Sequence, residues 1–162
     1  MPGRLFIDLD GVLADFDKGY EQAFKQKLAP RNERVDGKEG GVQWGLIRQT
    51  PGFFQNLPLM PGAKQLWNFA SRQDAYILSG APDSKGSDIA YEKRRWVRKH
   101  LALDAPVIIC PSSEKWMYAH PGDVLVDDWV KYQNMWEAVG GVWITYQDMP
   151  QAIEGLRKLG YN

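Results

Sequence analysis

The chain has little cysteine, little histidine and no net charge, and each shortage removes a class of protein. One cysteine, Cys110, stands in 162 residues, so no intrachain disulfide can form. It follows the apolar run Val107-Ile108-Ile109 and reads as a small buried side chain at a strand end, not a catalytic thiol, because neither histidine is near it in sequence. The two histidines, His100 and His120, have no metal-ligand partners at suitable spacing and read as structural or surface residues. Lys plus Arg and Asp plus Glu balance at 20 each, so the overall field draws the chain toward neither nucleic acid nor an anionic membrane. No apolar run approaches the length of a membrane span. Residues 1–4 lead straight into a strand-like segment, and the expectation is a chain without a secretory leader, working in the reducing cytoplasm.

What is present fits a folded domain. Apolar residues make up 44% and charged residues 25%, which excludes a disordered tail and suits one core of ordinary size. Short β-type runs at 5–8, 75–78, 107–109, 124–126 and 142–144 alternate with helical patterns at 62–73, 88–101, 130–139 and 150–159. That alternation predicts an α/β, Rossmann-like three-layer fold: a parallel sheet with helices on both faces. One interval breaks the rhythm. Roughly fifty residues separate the first strand from the helix beginning near Pro61-Gly62. A helix near 16–28, a Gly- and charge-rich stretch at 31–41 and the apolar residues Trp44, Leu46, Ile47, Phe53 and Phe54 fill it. We read residues 16–60 as a small helical cap inserted after strand 1, and 1–15 with 61–162 as the core domain. The simpler alternative is a surface excursion whose aromatics only complete the core.

In a parallel sheet, ligands bind outside the carboxyl ends of the strands, so the residue after each apolar run is informative. The first run is followed by Asp8-Leu9-Asp10-Gly11, the second by Ser79-Gly80, and the fourth by Asp127-Asp128. Beyond the third lies Ser112-Ser113-Glu114-Lys115. Carboxylates brought this close repel one another, and a hard divalent cation relieves the conflict. Oxygen ligands without a His/Cys set favour Mg²⁺. The alternation Asp8-x-Asp10 aims both side chains one way if the strand stays extended. Gly11 then frees the backbone for a sharp turn.

Asp8-Leu9-Asp10-Gly11-Val12-Leu13-Ala14-Asp15-Phe16 resembles the first motif of the haloacid dehalogenase superfamily of phosphatases, and in its extended form that of the 5′(3′)-deoxyribonucleotidases. The resemblance continues in order through Phe53-Phe54, Pro58-Leu59-Met60-Pro61-Gly62-Ala63, Ile77-Leu78-Ser79, residues 93–101 and Val124-Leu125-Val126-Asp127-Asp128. It implies a Mg²⁺-dependent phosphohydrolase acting on a small phosphomonoester, a nucleoside monophosphate. Asp8 would attack phosphorus and form an aspartyl-phosphate. Asp10 would be the general acid and base. Ser79 would hold a phosphate oxygen and Lys115 would neutralise charge on the transferring group. Asp8, Asp128 and the backbone carbonyl of Asp10 would bind the metal, with Asp127 orienting that shell. One departure from the family pattern is Ser79-Gly80-Ala81-Pro82, where a Thr-Ser-Pro-type sequence is usual; it removes one hydroxyl.

Lys93 rivals Lys115. It shares a helix face with Ile89, Trp96, Val97 and Leu101, so it either snorkels outward or reaches a site at the helix start. Trp44, Phe53 and Phe54 in the cap, with Phe16 after the first motif, are expected to stack on a base, with Gly80 and Lys93 as further substrate contacts. The basic run in residues 93–100 spreads around its helix, and stable nucleic-acid binding is not expected. The sequence leaves three alternatives standing: a phosphatase for another small phosphomonoester, one for a nucleic-acid end, or a phospho-accepting or phosphate-binding module without turnover. It leaves monomer and homodimer equally open.

Overall fold

The computed structural model describes residues 2–82 and 86–162. Five strands form where the apolar runs meet turn residues: β1 Leu5–Ile7, β2 Tyr76–Gly80, β3 Val107–Cys110, β4 Val124–Asp127 and β5 Val142–Thr145. They pair in parallel in one sheet of order β3-β2-β1-β4-β5. β1 is therefore central. The chain builds outward from it on one side through β2 and β3, then returns to build on the other through β4 and β5. At such a reversal the loops leaving neighbouring strands diverge and open a crevice.

Period-two alternation divides the strand residues between two cores. Leu5, Ile7, Ile77, Val124 and Val126 join one large buried cluster, while Phe6, Leu78 and Leu125 join a second with Cys110 and Trp136. The large cluster takes Leu66 and Trp67 from α3 (Ala63–Ser71), Trp96 and Val97 from α4 (Gly86–His100), and Ala152 and Leu156 from α6 (Met149–Lys158). The smaller face is covered by α5 (Gln133–Ala138) through Trp136. Helices thus lie on both faces, unequally. Burial pushes the Cys110 thiol up to about 11, which keeps it protonated and suits a packing role.

Two local expectations are corrected. β1 stops at Ile7, not at Asp8, and the helix expected over 130–139 is a 3₁₀ turn, Val130–Tyr132, followed by α5.

The insertion between β1 and α3 carries α1 (Phe16–Phe24) and α2 (Trp44–Arg48). Its two ends are zipped together: the Asp15 N–H donates to the Pro58 carbonyl at 2.7 Å and the Met60 N–H to the Leu13 carbonyl at 2.9 Å. The excursion therefore leaves and re-enters the core at one point. Asp15 also caps α1, its carboxylate accepting the Lys18 N–H at 3.1 Å. Within the insertion, Phe53 packs edge-on against Phe54 at 5.2 Å and Phe16 at 5.6 Å, and stacks on Phe24 at 5.6 Å. These rings belong to the same buried cluster as the sheet. The aromatics of the insertion hold it to the core as well as to itself.

Candidate active site

The crevice at the carboxyl ends of the strands is a cavity of about 360 Å³, within the range of small-molecule sites. Asp8 follows β1, Ser79 and Gly80 end β2, and Asp127 ends β4 with Asp128 beyond it. The 3₁₀ helix after β3, Ser112–Tyr118, brings Lys115. Asp8, Ser79, Lys93, Lys115 and Asp127 are all buried, an unusual density of polar groups for an interior.

The two lysines divide the aspartates between them. Lys115 Nζ lies 2.9 Å from Asp8 Oδ1 and 2.9 Å from Asp127 Oδ2. Lys93 Nζ lies 2.9 Å from Asp10 Oδ2, donates to Ser79 Oγ at 2.9 Å and to the Gly80 carbonyl at 2.5 Å, and sits 5.0 Å from the Phe54 ring centroid. Lys93 therefore reaches inward from its apolar helix face. Because the lysine donates to the Ser79 oxygen, the serine keeps its own hydrogen to donate into the cavity.

Asp8 and Asp10 do not point at the same partners. The chain leaves the extended conformation after Ile7 and turns at Gly11, with φ 83°. A β-carbon on Gly11 would lie 2.0 Å from Asp128 Oδ2, so the turn brings backbone and carboxylate closer than any side chain permits. Asp8, Asp127 and Asp128 converge, with one ligand atom from each within 4.8 Å of the others; the Asp10 side chain is not in that group.

Electrostatics follow from this crowding. Burial, then Asp127, raise the Asp8 pKa well above its ordinary value despite Lys115. Burial and Asp127 raise Asp128 to about 7, with Arg31 and Lys115 pulling the other way. Burial works against the Lys115 ammonium, but Asp127 and Asp8 hold its pKa above the usual lysine value, so it stays charged. Once all three carboxyl groups ionise they outnumber Lys115, the one ammonium bonded to two of them, and the field of Arg31 offsets only part of the remainder. A divalent cation with oxygen ligands fits that deficit, and Asp8 and Asp128 are the carboxylates free to hold it. Asp127 has both oxygens engaged, one by Lys115 and the other by the Trp129 N–H at 2.9 Å.

All the residues singled out in the sequence line this cavity except Phe53. Phe53 lies inside the aromatic cluster, and its neighbour Phe54 faces the cavity with Phe16 and Trp44. Gly80 adjoins Ser112: a β-carbon on Gly80 would lie 1.9 Å from Ser112 Oγ. A hydroxyl from the neighbouring strand's end thus occupies the space of the hydroxyl missing at position 80. Sequence reasoning named Ser112 beyond the third strand without giving it a role and passed over Arg31, Arg34, Trp129 and Tyr132, which also line the cavity. Trp129 alone carried a local signal, its place directly after Asp127-Asp128.

The central acidic turn and the paired carboxylates ending β4 stand on an α/β fold of the haloacid dehalogenase-like class. The fold matches that of a solved hydrolase from Streptococcus pneumoniae TIGR4 with a TM-score of 0.55, over 96% of this chain and 98% of that one, at 13% identity. No family model matches the chain. It is 31% identical to the mitochondrial 5′(3′)-deoxyribonucleotidase of Mus musculus, over 77% of this chain and 64% of that protein's length. It is 32% identical to a Bordetella pertussis protein named "Putative 5′(3′)-deoxyribonucleotidase", over 76% of this chain and 73% of that protein. The chain belongs to the 5′(3′)-deoxyribonucleotidase family. No helix among the described residues is long and apolar enough to cross a membrane.

Proposed function

We propose that the protein is a Mg²⁺-dependent phosphohydrolase for nucleoside monophosphates that works through an aspartyl-phosphate on Asp8. The observation that carries this reading is the double pairing of Lys115 with Asp8 and Asp127 beside Asp128, at the carboxyl end of the central strand. Mg²⁺ held by Asp8, Asp128 and the Asp10 carbonyl would supply the positive charge that offsets repulsion between a carboxylate nucleophile and a phosphate monoester.

An Asp8 oxygen attacks phosphorus while the bond from phosphorus to the leaving oxygen breaks. Asp10 gives its proton to that oxygen, then takes a proton from the water that attacks the aspartyl-phosphate; phosphate leaves and Asp8 is regenerated. Asp10 Oδ1 suits the proton-transfer role: it is buried and has no hydrogen-bond partner among the described residues, whereas Oδ2 is held by Lys93. Ser79 and the two lysines lie where phosphate oxygens would arrive. Phe16, Trp44 and Phe54 offer apolar ring surface to the base, which supports a free nucleotide over a sugar phosphate.

A panel of monophosphates assayed with Mg²⁺ tests the reading. Turnover of nucleoside monophosphates above that of sugar phosphates is expected. Activity on sugar phosphates with none on any nucleotide would overturn the substrate, and stoichiometric phosphorylation without turnover would overturn the enzyme.

A further inference from the structure

Asn32 belongs to the cap, in the loop after α1, yet both ends of its side-chain amide engage the core. Nδ2 donates to the Asp128 carbonyl at 3.0 Å, and Oδ1 accepts the Val130 N–H at 3.0 Å. One amide thus pairs with the backbone on both sides of Trp129, as a neighbouring strand would. Arg31, one residue earlier, places its guanidinium carbon 3.8 Å from the centroid of the Trp129 ring. The Trp129 N–H is held by Asp127. The turn that presents Asp128 is therefore gripped from two directions. The core holds the N–H of the peptide between Asp128 and Trp129, and the cap holds the carbonyl of that same peptide and the Val130 N–H beyond it.

The carboxylate of Asp128 has little freedom of its own. Its Oδ2 lies 2.0 Å from the place a β-carbon on Gly11 would take, so small shifts of the 128–130 backbone move it against the Gly11 backbone. Arg31 braces the same turn through the face of the Trp129 ring, one residue on from Asp128. Two adjacent cap residues thus hold the turn that carries the carboxylate, one through the backbone and one through the ring.

We propose that Asn32, assisted by Arg31, is a positioning residue through which the closed cap sets the place of the Asp128 carboxylate, so that cap closure and divalent-metal affinity are linked. The proposal rests on the reading of Asp8 and Asp128 as metal ligands. Linkage makes it reciprocal: if the closed cap favours the metal, the metal favours the closed cap by the same factor.

The test uses the full chain and Mg²⁺ alone, titrated calorimetrically, together with limited proteolysis of the cap loop with and without Mg²⁺. Asn32→Ala is expected to weaken Mg²⁺ binding about tenfold, the lower end of the effect of losing a group that orients a ligand. Arg31→Ala should weaken it by a smaller factor. In the wild type Mg²⁺ should slow cleavage in residues 30–42, and in Asn32→Ala it should not. Asn32→Asp keeps the acceptor for Val130 but cannot donate to the Asp128 carbonyl, and should fall between. It carries the test if the alanine variant does not fold. Mg²⁺ affinities within twofold of wild type in these variants would overturn the latch, even if their thermal stability falls. A wild type that binds no Mg²⁺ would overturn the metal reading and the latch together, which separates the two failures.

Discussion

At one end of β4 stands Asp123, and at the other stand Asp127 and Asp128. Asp123 accepts the Arg4 N–H at 2.8 Å, the His120 N–H at 2.8 Å, and the Arg4 guanidinium at 2.6 Å and 3.1 Å. Burial works to raise its pKa, but the Arg4 side chain and the two backbone N–H groups outweigh that and hold it below the usual carboxylate range. Five residues further on, just past the end of the strand, the balance reverses, and burial beside other carboxylates holds Asp128 far above that range. The strand has a satisfied anion at its foot, Asp123, and a frustrated carboxyl just past its head, Asp128. Buried carboxylates left with too few donors make poor structural residues, and they are well suited to take a cation or attack phosphorus.

Substituting one carboxylate from each region should separate chemistry from stability. Asp8→Asn should lower turnover by about 10⁴-fold or more, as the loss of a covalent nucleophile does in other hydrolases. Its melting temperature should stay near that of the wild type, because the amide escapes the cost of a buried charge and Lys115 keeps Asp127. Substantial residual turnover on the best substrate would remove Asp8 from its role.

Asp123→Ala should do the opposite. It strands two backbone N–H groups beside β1 and β4 and is expected to cost about 2–3 kcal/mol in denaturant unfolding. The per-site kcat should be nearly unchanged for the fraction that is folded. The Asp123 contribution is present above its unfolded pKa and is lost as pH falls through its lowered folded value, so the variant should also show a flatter acid limb of stability. Unchanged stability at neutral pH would mean that the Arg4–Asp123 cluster is ornamental and that the contrast between the two ends of the strand fails.

The head of the sheet was more legible in the sequence than the cap. Apolar runs bounded by turn residues located all five strands, and residues such as Asp8, Ser79 and Asp127 follow those runs directly, so local pattern carries them to the rim. Lys93 was legible as a lysine on an apolar helix face, although periodicity alone did not say that it meets Asp10 while Lys115 meets Asp8. The expectation that Asp10 points with Asp8 held only if the backbone stayed extended, and the strand ends at Ile7, three residues before Asp10. Phe53 and Phe54 are adjacent and chemically identical, and only the packing of α1 decides which ring faces the cavity. Asn32 and Arg31 had no signal at all. Their partners lie almost a hundred residues away, and the loop that carries them has no period to betray which side chains turn inward.

The smallest expected effect is also the one that most directly opposes the two ends of β4, because it depends on sign. A carboxyl whose folded pKa is raised keeps its proton in the folded state after the unfolded chain has lost it. The metal-free protein should therefore lose stability as pH rises from about 4 through about 7, the value to which Asp128 is pushed. That is the reverse of the Asp123 contribution, which grows over its own, lower range. Mg²⁺ competes with the Asp128 proton, so the metal should stabilise more at pH 8 than at pH 6. At pH 8 and tenfold excess over its Kd the gain should be about 1.4 kcal/mol, or roughly 3–6 °C in Tm for a chain of this length. Asp128→Asn should shrink the pH-dependent loss to the part that the raised Asp8 carboxyl contributes and remove most of the Mg²⁺ gain, while Asp123→Asn should leave both in place. An equal Mg²⁺-induced shift at pH 6 and pH 8 in the wild type would show that the frustrated charge at the head of β4 is not what the cation relieves.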